Sequence, residues 1–276
     1  MSQLVRYQAQ KGGPRRRPTE QQLRQEIVQI SRMLHQGGYC LGYDGNVSAR
    51  LDGDRFLVTP SGIGKAFVRS DQLVIVDWEG NLAGSGRYGP QRDLRPSSEV
   101  LLHLEAYRQR PDAQAVIHAH PPVAIALSIA GISLARCLLP DIILYFGLIP
   151  TTDYATPASA EGVAVISDLI QRYDALILQR HGSVTIGPSV ADAYLKLEKL
   201  EHTALITKTV VELGREKPFP REEIDKLVQW RSGVGLMRPG QAEDICEACG
   251  VCTLLGREQC IMSGASASTA QDRRHT

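Results

Sequence analysis

Apolar residues recur at helical spacing in the first part of the chain. They follow Thr19 at intervals of three or four positions, at Leu23, Ile27, Ile30, Met33 and Leu34. This spacing predicts an amphipathic helix over 19–36, with Thr19 as its N-terminal cap and the glycines of HQGG at its end.

The pattern then changes to short apolar runs separated by Gly and Asp. Such runs are typical of strands joined by turns, and they lie at 46–51, 55–60 and 72–78. Helical spacing returns at 97–109, 122–130, 160–172 and 189–213, with strands predicted at 115–120 and 175–180. The chain therefore predicts an α/β domain with an internal sheet, which opens as a meander.

The composition along the chain predicts four segments. Residues 1–18 form a basic flexible tail, 19–215 the α/β domain, 216–240 a linker with a short helix near 221–231, and 241–276 a Cys-rich tail. The last segment has too little apolar surface to fold alone unless a metal or a partner orders it.

The overall charge excludes some classes of partner. Lys and Arg number 31 against 30 Asp and Glu, so the net charge of +1 gives no field that favours nucleic acid or a membrane surface. The sequence shows no apolar run of membrane-spanning length and no secretory leader, so we expect a cytoplasmic protein. Cys40 and Cys137 lie in apolar surroundings and are expected to be packed thiols.

Two histidines stand in the apolar run AVIHAHPP. On a strand, His118 and His120 would point to the same face about 7 Å apart at the backbone, within reach of one ion. Two packed core histidines are the alternative, but burying both rings costs free energy unless something satisfies them. His181, at the end of the apolar run ALILQR, completes a three-imidazole set that leaves a fourth position open on Zn²⁺ or another divalent metal ion.

The segment LRPSSEVLLHLEAY predicts a helix start at Ser97 and Ser98, where unpaired N–H groups can bind an anion. A plain capping motif is the alternative. Glu99 would lie in the first helical turn and could act as a general base if burial raises its pKa. The loops YDGNVSAR and VTPSGIGK offer hydroxyls and flexible backbone to a phosphate, or are ordinary turns.

Taken in order, several segments resemble the signature of the class II aldolase/adducin family: GNVSAR, VTPSGI, SSEVLLHLEAYRQRPDAQAVIHAHPP, YATP and LILQRHG. The resemblance covers about residues 20–210. It implies a three-layer α/β/α domain with a largely antiparallel central sheet, assembled as a homotetramer with active sites at subunit interfaces.

The resemblance also implies roles for individual residues. His118, His120 and His181 would bind the divalent metal ion, and Glu99 would be the acid/base. The phosphate and neighbouring oxygens of a phosphorylated sugar would be held by Asn46, Ser61, Gly62, Ser97 and Ser98.

The implied reaction is the reversible cleavage of a ketose 1-phosphate, such as L-fuculose 1-phosphate, to dihydroxyacetone phosphate and a small aldehyde such as lactaldehyde. A sugar-phosphate epimerase, dehydratase or decarboxylase would use the same metal and phosphate loops, so these are alternatives. A non-catalytic adducin-like interaction module is less favoured, because that branch lacks the metal histidines.

The chain departs from the family in its tyrosines. Characterised fuculose-phosphate aldolases use two tyrosines as proton donor or to close the active site, whereas this chain has none after Tyr194 and only Tyr145 in LLPDIILYFGLIP. The acid on the aldehyde side is therefore unassigned. Lys65 either screens phosphate charge or is solvated, and His202 is expected on a helix surface or packed, outside the site.

The Cys-rich tail contains the pattern C-x2-C-x2-C-x7-C, formed by Cys246, Cys249, Cys252 and Cys260. This spacing resembles an iron–sulfur or zinc site, although the ending of the bacterial ferredoxin motif is missing. Free thiols on a flexible tail, or a peptide that docks to another protein or assembly, are the alternatives.

Overall fold

A computed structural model describes residues 17–84, 93–217 and 219–248. The first helix, α1 (Glu20–Gln36), begins at a capping box. Thr19 accepts a hydrogen bond from the backbone N–H of Gln22, whose side chain accepts one from the Thr19 N–H. This start and the end at Gln36 confirm the predicted helix.

Six strands form one antiparallel sheet in the described part of the chain, in the order β3-β2-β1-β4-β6-β5. They are β1 (Asn46–Arg50), β2 (Phe56–Val58), β3 (Val74–Val76), β4 (Ala115–Ala119), β5 (Ala175–Leu178) and β6 (Gly182–Gly187). The first five lie within runs that the sequence pattern predicted as strands. Strand β6 lies outside those runs and begins directly after His181.

Helices cover both faces of this sheet. After α1 they are α2 (Val100–Gln109), α3 (Pro122–Ile129), α4 (Pro140–Tyr145), α5 (Ala160–Ala164), α6 (Ser167–Arg172), α7 (Val190–Leu213), α8 (Arg221–Gly233) and α9 (Gln241–Ala248). None of the described helices is long and apolar enough to cross a membrane.

The alternation of side chains along the strands separates two cores. Ala115, Ile117 and Ala119 of β4 pack with α1 and α7, whereas Val116 packs on the opposite face with α2, α6 and α8. Helices therefore lie on both sides of the sheet, which confirms the three-layer α/β/α architecture. His118 lies on the α2 face, because it is two residues from Val116.

Two predicted helices differ from the structure, and one observed α-helix of the α/β domain was not predicted. The helix expected at 97–109 begins only at Val100, and the one expected at 160–172 is two short helices, α5 and α6. The sequence pattern did not predict α4, because LLPDIILYFGLIP is apolar almost throughout and has no helical period; Pro140 lies in its first turn.

The segment assigned to a Cys-rich tail begins with an ordered helix. Helix α9 does not fold alone: Ile245 is fully buried in the α2 face of the core, and Gln241 is buried against the carbonyls of Phe146 and Arg172. The apolar surface that the tail lacks is thus supplied by the domain.

Candidate metal and substrate site

The register of the sheet brings the first residues of the site together. Asn46 of β1 lies directly opposite His118 of β4, so the two side chains leave the same face of the sheet as neighbours. Asn46 is 4% exposed and His118 is fully buried. The sheet therefore fixes both side chains toward the N-terminal end of α2.

The three predicted histidines converge beside this pair. The ligand atoms of His118, His120 and His181 all lie within 4.8 Å of one another. His120 directly follows β4, and its Nε2 is 3.1 Å from Nε2 of His118. Two nitrogen ligands of one tetrahedral Zn²⁺ would be about 3.4 Å apart, so this spacing fits a shared ion.

Neighbouring groups orient two of the imidazoles. Nδ1 of His118 lies 3.0 Å from the carbonyl oxygen of Ser183, which can only accept, so Nδ1 carries the proton. Nδ1 of His120 lies 3.4 Å from the carboxylate of Asp44. Both Nε2 atoms are then left as acceptors that face each other, an arrangement that a cation between them satisfies.

Burial favours the neutral, metal-binding form of these rings. The pKa of His181 is lowered to about 4, first by burial and then by the charge of His118. The pKa of His120 is lowered by the same two causes. Neutral imidazole is the form that donates its lone pair to a metal ion.

Glu99 faces the histidines from the start of α2. It is the N-cap residue of that helix, not a member of its first turn as expected, and its side chain caps no N–H. One carboxylate oxygen lies 3.0 Å from Nε2 of His118, and the other lies 3.3 Å from Nε2 of His181. A third acceptor group therefore joins the two Nε2 atoms of the histidine pair.

The condition stated for Glu99, a pKa raised by burial, is not met. Burial alone acts in that direction, but the opposing interactions with His118 and then His181 lower this pKa to about 2. Glu99 is therefore a carboxylate in this geometry.

A tight hairpin between β5 and β6 positions His181. Arg180 has a φ of 61°, the left-handed conformation that closes a three-residue loop. Gly182 follows, and a Cβ there would lie 2.5 Å from the carbonyl oxygen of Ala119 and 3.0 Å from ring atoms of both His118 and His120. Only glycine lets β6 approach the histidine pair this closely.

The residues predicted to bind phosphate fall into two groups. Asn46 donates to Oγ of Ser97 at 2.9 Å and to Glu99 at 3.3 Å, while its Oδ1 is buried and has no hydrogen-bond partner among the described residues. Ser98 is exposed beside them. Ser61 and Gly62 form a turn, with Gly62 at a φ of 71°, and the Ser61 N–H donates to the carbonyl of Arg95, on the segment that precedes Ser97.

A cleft of about 460 Å³ opens next to Glu99 and His181. Ser98 lies at this end, and the opposite wall comes from the loop 152–159 and from α5, with Thr152, Asp153 and Val163 among its residues. The described lining is largely apolar and holds carboxylates but neither Lys, Arg nor Tyr. It can accept a small organic group beside the histidine cluster.

Sequence reasoning missed Asp44 and the loop of Thr152 and Asp153. Asp44 stands two residues before Asn46, but nothing local indicates that it pairs with a histidine 76 positions away. The Thr152–Asp153 segment directly precedes YATP, one of the segments that carry the family resemblance. YATP is therefore the signal in the sequence that pointed to this wall of the cleft.

His202 and Tyr145, also considered from the sequence, lie outside the cluster. His202 is exposed on α7. Tyr145 packs among α3, α4 and α7 and does not line the cleft. Of the four cysteines in the tail motif, Cys246 lies in α9 and the other three, Cys249, Cys252 and Cys260, lie outside the described residues. The second metal site there stays a prediction.

Comparison with known proteins agrees with this geometry. Residues 25–207 match the family model described as the class II aldolase and adducin N-terminal domain. The chain is 32% identical over 179 residues to an L-fuculose phosphate aldolase of Methanococcus maripaludis, covering 65% of this chain and 92% of the relative. It is 31% identical over 188 residues to a 3-oxo-tetronate 4-phosphate decarboxylase of Haemophilus influenzae, covering 67% and 86%.

A solved structure of similar sequence supports the same family. A crystal structure from Klebsiella pneumoniae, whose description names aldolase, epimerase and decarboxylase as candidate activities, superposes with a TM-score of 0.67 at 31% identity. The match covers 76% of this chain and 99% of that one. With the family model matching about two thirds of its length, this chain belongs to the class II aldolase and adducin family.

Proposed function

We propose that the protein is a metal-dependent lyase that cleaves a ketose 1-phosphate, such as L-fuculose 1-phosphate, to dihydroxyacetone phosphate and a small aldehyde such as lactaldehyde. One observation carries the proposal. Nε2 of His118 lies 3.1 Å from Nε2 of His120 and 3.0 Å from a carboxylate oxygen of Glu99, so one acceptor is in contact with two others. Such a group needs a cation.

The three histidines would hold a divalent ion, Zn²⁺ or another. When bound, the ion supplies Lewis-acid stabilisation of the negative charge that develops on the carbonyl and hydroxyl oxygens of the substrate. Ser183 and Asp44 orient His118 and His120 for this role through their Nδ1 atoms.

Glu99 would exchange the proton at the substrate carbon that becomes nucleophilic. Its ionised form and its contacts with His118 and His181 keep the carboxylate next to the reacting atoms. The buried Oδ1 of Asn46 is available to accept a hydrogen bond from a substrate hydroxyl. Ser61, Gly62, Ser97 and Ser98 would hold the phosphate, and the cleft would hold the aldehyde part.

Decarboxylation of a 3-oxo-tetronate 4-phosphate is the second candidate. Five of the relatives found carry this name. The reaction would break a C–C bond to give the enediolate of dihydroxyacetone phosphate, as aldol cleavage would, but it needs no acid for an aldehyde oxygen. The described lining of the cleft holds no tyrosine for that role. An epimerase or dehydratase would use the same residues but release no dihydroxyacetone phosphate.

We also propose that the chain assembles as a homotetramer, as its family resemblance implies. Leu41, Tyr43 and Phe67 are more than half exposed on the loops that flank Asp44 and Lys65. Large apolar side chains grouped beside a site support a subunit contact there. Sedimentation velocity of the full chain tests this assembly.

The activity is tested with zinc-loaded protein and two substrates, L-fuculose 1-phosphate and 3-oxo-tetronate 4-phosphate. Dihydroxyacetone phosphate is measured by coupled reduction, and the second product is identified as lactaldehyde or carbon dioxide. Lactaldehyde supports the aldolase, and carbon dioxide supports the decarboxylase. Protein that binds no divalent metal after reloading would contradict both and favour a non-catalytic module.

A further inference from the structure

Lys65 has an unusual environment for a lysine in a surface loop. It begins a short 3-10 turn (Lys65–Phe67), yet it is only 2% exposed. Its Nζ donates two long hydrogen bonds, of 3.3 Å to the carbonyl of Ile63 and 3.4 Å to that of Tyr43. Within the part of the chain that the structure describes, Nζ forms no ion pair. Of the two alternatives that the sequence left for Lys65, the solvated side chain is therefore excluded.

This ammonium joins two loops that pack directly on each other. The first loop, 41–45, leads into Asn46 and carries Asp44; the second, 61–65, carries Ser61 and Gly62. A Cβ at Gly64 would lie 2.9 Å from the carbonyl oxygen of Gly42, so the two backbones are in contact there. Lys65 binds one carbonyl from each loop.

The burial of this charge is costly without a matching anion. Moving an ammonium group out of water costs several kcal/mol. Two neutral carbonyls at long distances, with the charge of Asp44 beyond ion-pair distance, offset only part of that cost. The residues proposed to bind phosphate, by contrast, are all neutral, and Glu99 beside them is negative. A phosphate monoester at pH 7 brings close to two negative charges into this setting.

We propose that Lys65 is a positioning and charge-compensating residue of the phosphate site. It fixes the two loops that carry Asn46, Ser61 and Gly62, and it supplies buried positive charge for a phosphate monoester dianion without touching it. The inference rests on the proposed function, because it assumes that these loops hold a phosphate.

The test compares dihydroxyacetone phosphate and inorganic phosphate as ligands, with the full zinc-loaded chain and isothermal titration calorimetry. Lys65→Gln keeps N–H donors for the two carbonyls but removes the charge, and Lys65→Arg keeps the charge. Lys208→Met removes an exposed charge that pairs with Glu212 on α7 and serves as the control.

We expect Lys65→Gln to weaken binding of both ligands by about 10- to 30-fold, from the loss of one low-dielectric charge interaction. Lys65→Arg should stay within about threefold of the wild type, Lys208→Met should not change binding, and zinc affinity should be unchanged in all three. Lys65→Met replaces Lys65→Gln if the latter does not fold.

Three results would overturn the inference. Wild-type affinity for both ligands in a folded, uncharged Lys65 variant would contradict the charge role and leave the proposed function intact. An equal loss of zinc and phosphate affinity would indicate a purely structural role for Lys65, and it would also leave the proposed function intact. A wild-type protein that binds zinc but neither ligand would contradict the proposed function and this inference together.

Discussion

Asn46 and His118 face each other across β1 and β4, and both contact the same oxygen of Glu99. The Asn46 amide donates to that oxygen at 3.3 Å, and Nε2 of His118 lies 3.0 Å from it. Two residues of the sheet therefore hold a carboxylate that belongs to the start of a helix. This contact between layers sets the geometry of the proposed active site.

Glu99→Gln should remove most of the activity and leave the metal in place. Glutamine keeps the shape and the contact with Asn46 but cannot exchange a proton, so we expect kcat to fall by about 10²- to 10⁴-fold. Zinc content per chain should match the wild type. Steady-state kinetics on the substrate that the product assay selects gives kcat. Elemental analysis of the same samples gives the zinc content.

Glu105→Gln is the matched control, because Glu105 lies on the same helix and pairs with Ser167 and Gln109 away from the histidines. It should keep kcat within about twofold. A Glu99→Gln protein with wild-type kcat would rule out an acid/base role.

His181→Ala should lower the metal affinity while the protein remains folded. His181 is one of three convergent imidazoles and lies in a hairpin loop, so its truncation removes a ligand without opening a cavity in the main core. We expect the zinc dissociation constant to rise at least about 100-fold. Competition with a chromophoric chelator measures it.

His202→Ala, an exposed histidine on α7, provides the comparison and should bind zinc like the wild type. Equal zinc affinity in the His181→Ala and His202→Ala proteins would show that the cluster is not the metal site.

The parts of the site that could be predicted from the sequence are those set by local pattern. Strand alternation put His118 and His120 on one face, and the apolar run ending at His181 placed the third ring at a strand end. The helix cap at Thr19 was equally local. Each of these depends on residues a few positions apart in the chain.

The rest depends on contacts between distant segments. Asp44 reaches His120 because the loop before β1 folds over the end of β4, and no spacing in the sequence carries that information. The pKa of Glu99 is lowered although burial alone would raise it, because His118 and His181 approach it from other segments of the chain. Lys65 is buried for the same reason: two loops close around it.

Gly182→Ala should damage both stability and metal binding. The added methyl group would meet the carbonyl of Ala119 at 2.5 Å and ring atoms of His118 and His120 at 3.0 Å, so β6 or the histidines must shift. We expect the free energy of unfolding to fall by about 2–4 kcal/mol. Urea unfolding followed by circular dichroism measures the change.

Gly233→Ala tests the opposite case, since a Cβ at this helical glycine meets nothing within 4 Å. That variant should be neutral or more stable by up to about 1 kcal/mol. Wild-type stability and zinc affinity in Gly182→Ala would contradict the close approach of β6 to the histidine pair.

Asp174 should make stability depend on pH in the acid range. Its carboxylate lies 2.8 Å from Arg110 and 2.9 Å from Lys196, near the end of β6. Burial alone would raise the pKa of Asp174, but the charges of Lys196 and Arg110 lower it well below its usual value. Its contribution to stability is therefore complete above the unfolded-state pKa of about 3.9 and is lost as the pH falls toward the folded-state pKa.

Asp174→Asn should accordingly lower the free energy of unfolding by about 1–3 kcal/mol at pH 7, because Arg110, Lys196 and Arg238 each lose one carboxylate partner in a partly exposed position. The difference from the wild type should shrink steadily between pH 5 and pH 2. Asp71→Asn removes the partner of Arg69 in an exposed pair, which solvent screens, so its trend should have the same sign but be much smaller. Urea unfolding at each pH measures the free energy of unfolding of each protein. If the difference between wild type and Asp174→Asn stays constant down to pH 2, the carboxylate is not stabilised by its cations in the folded state.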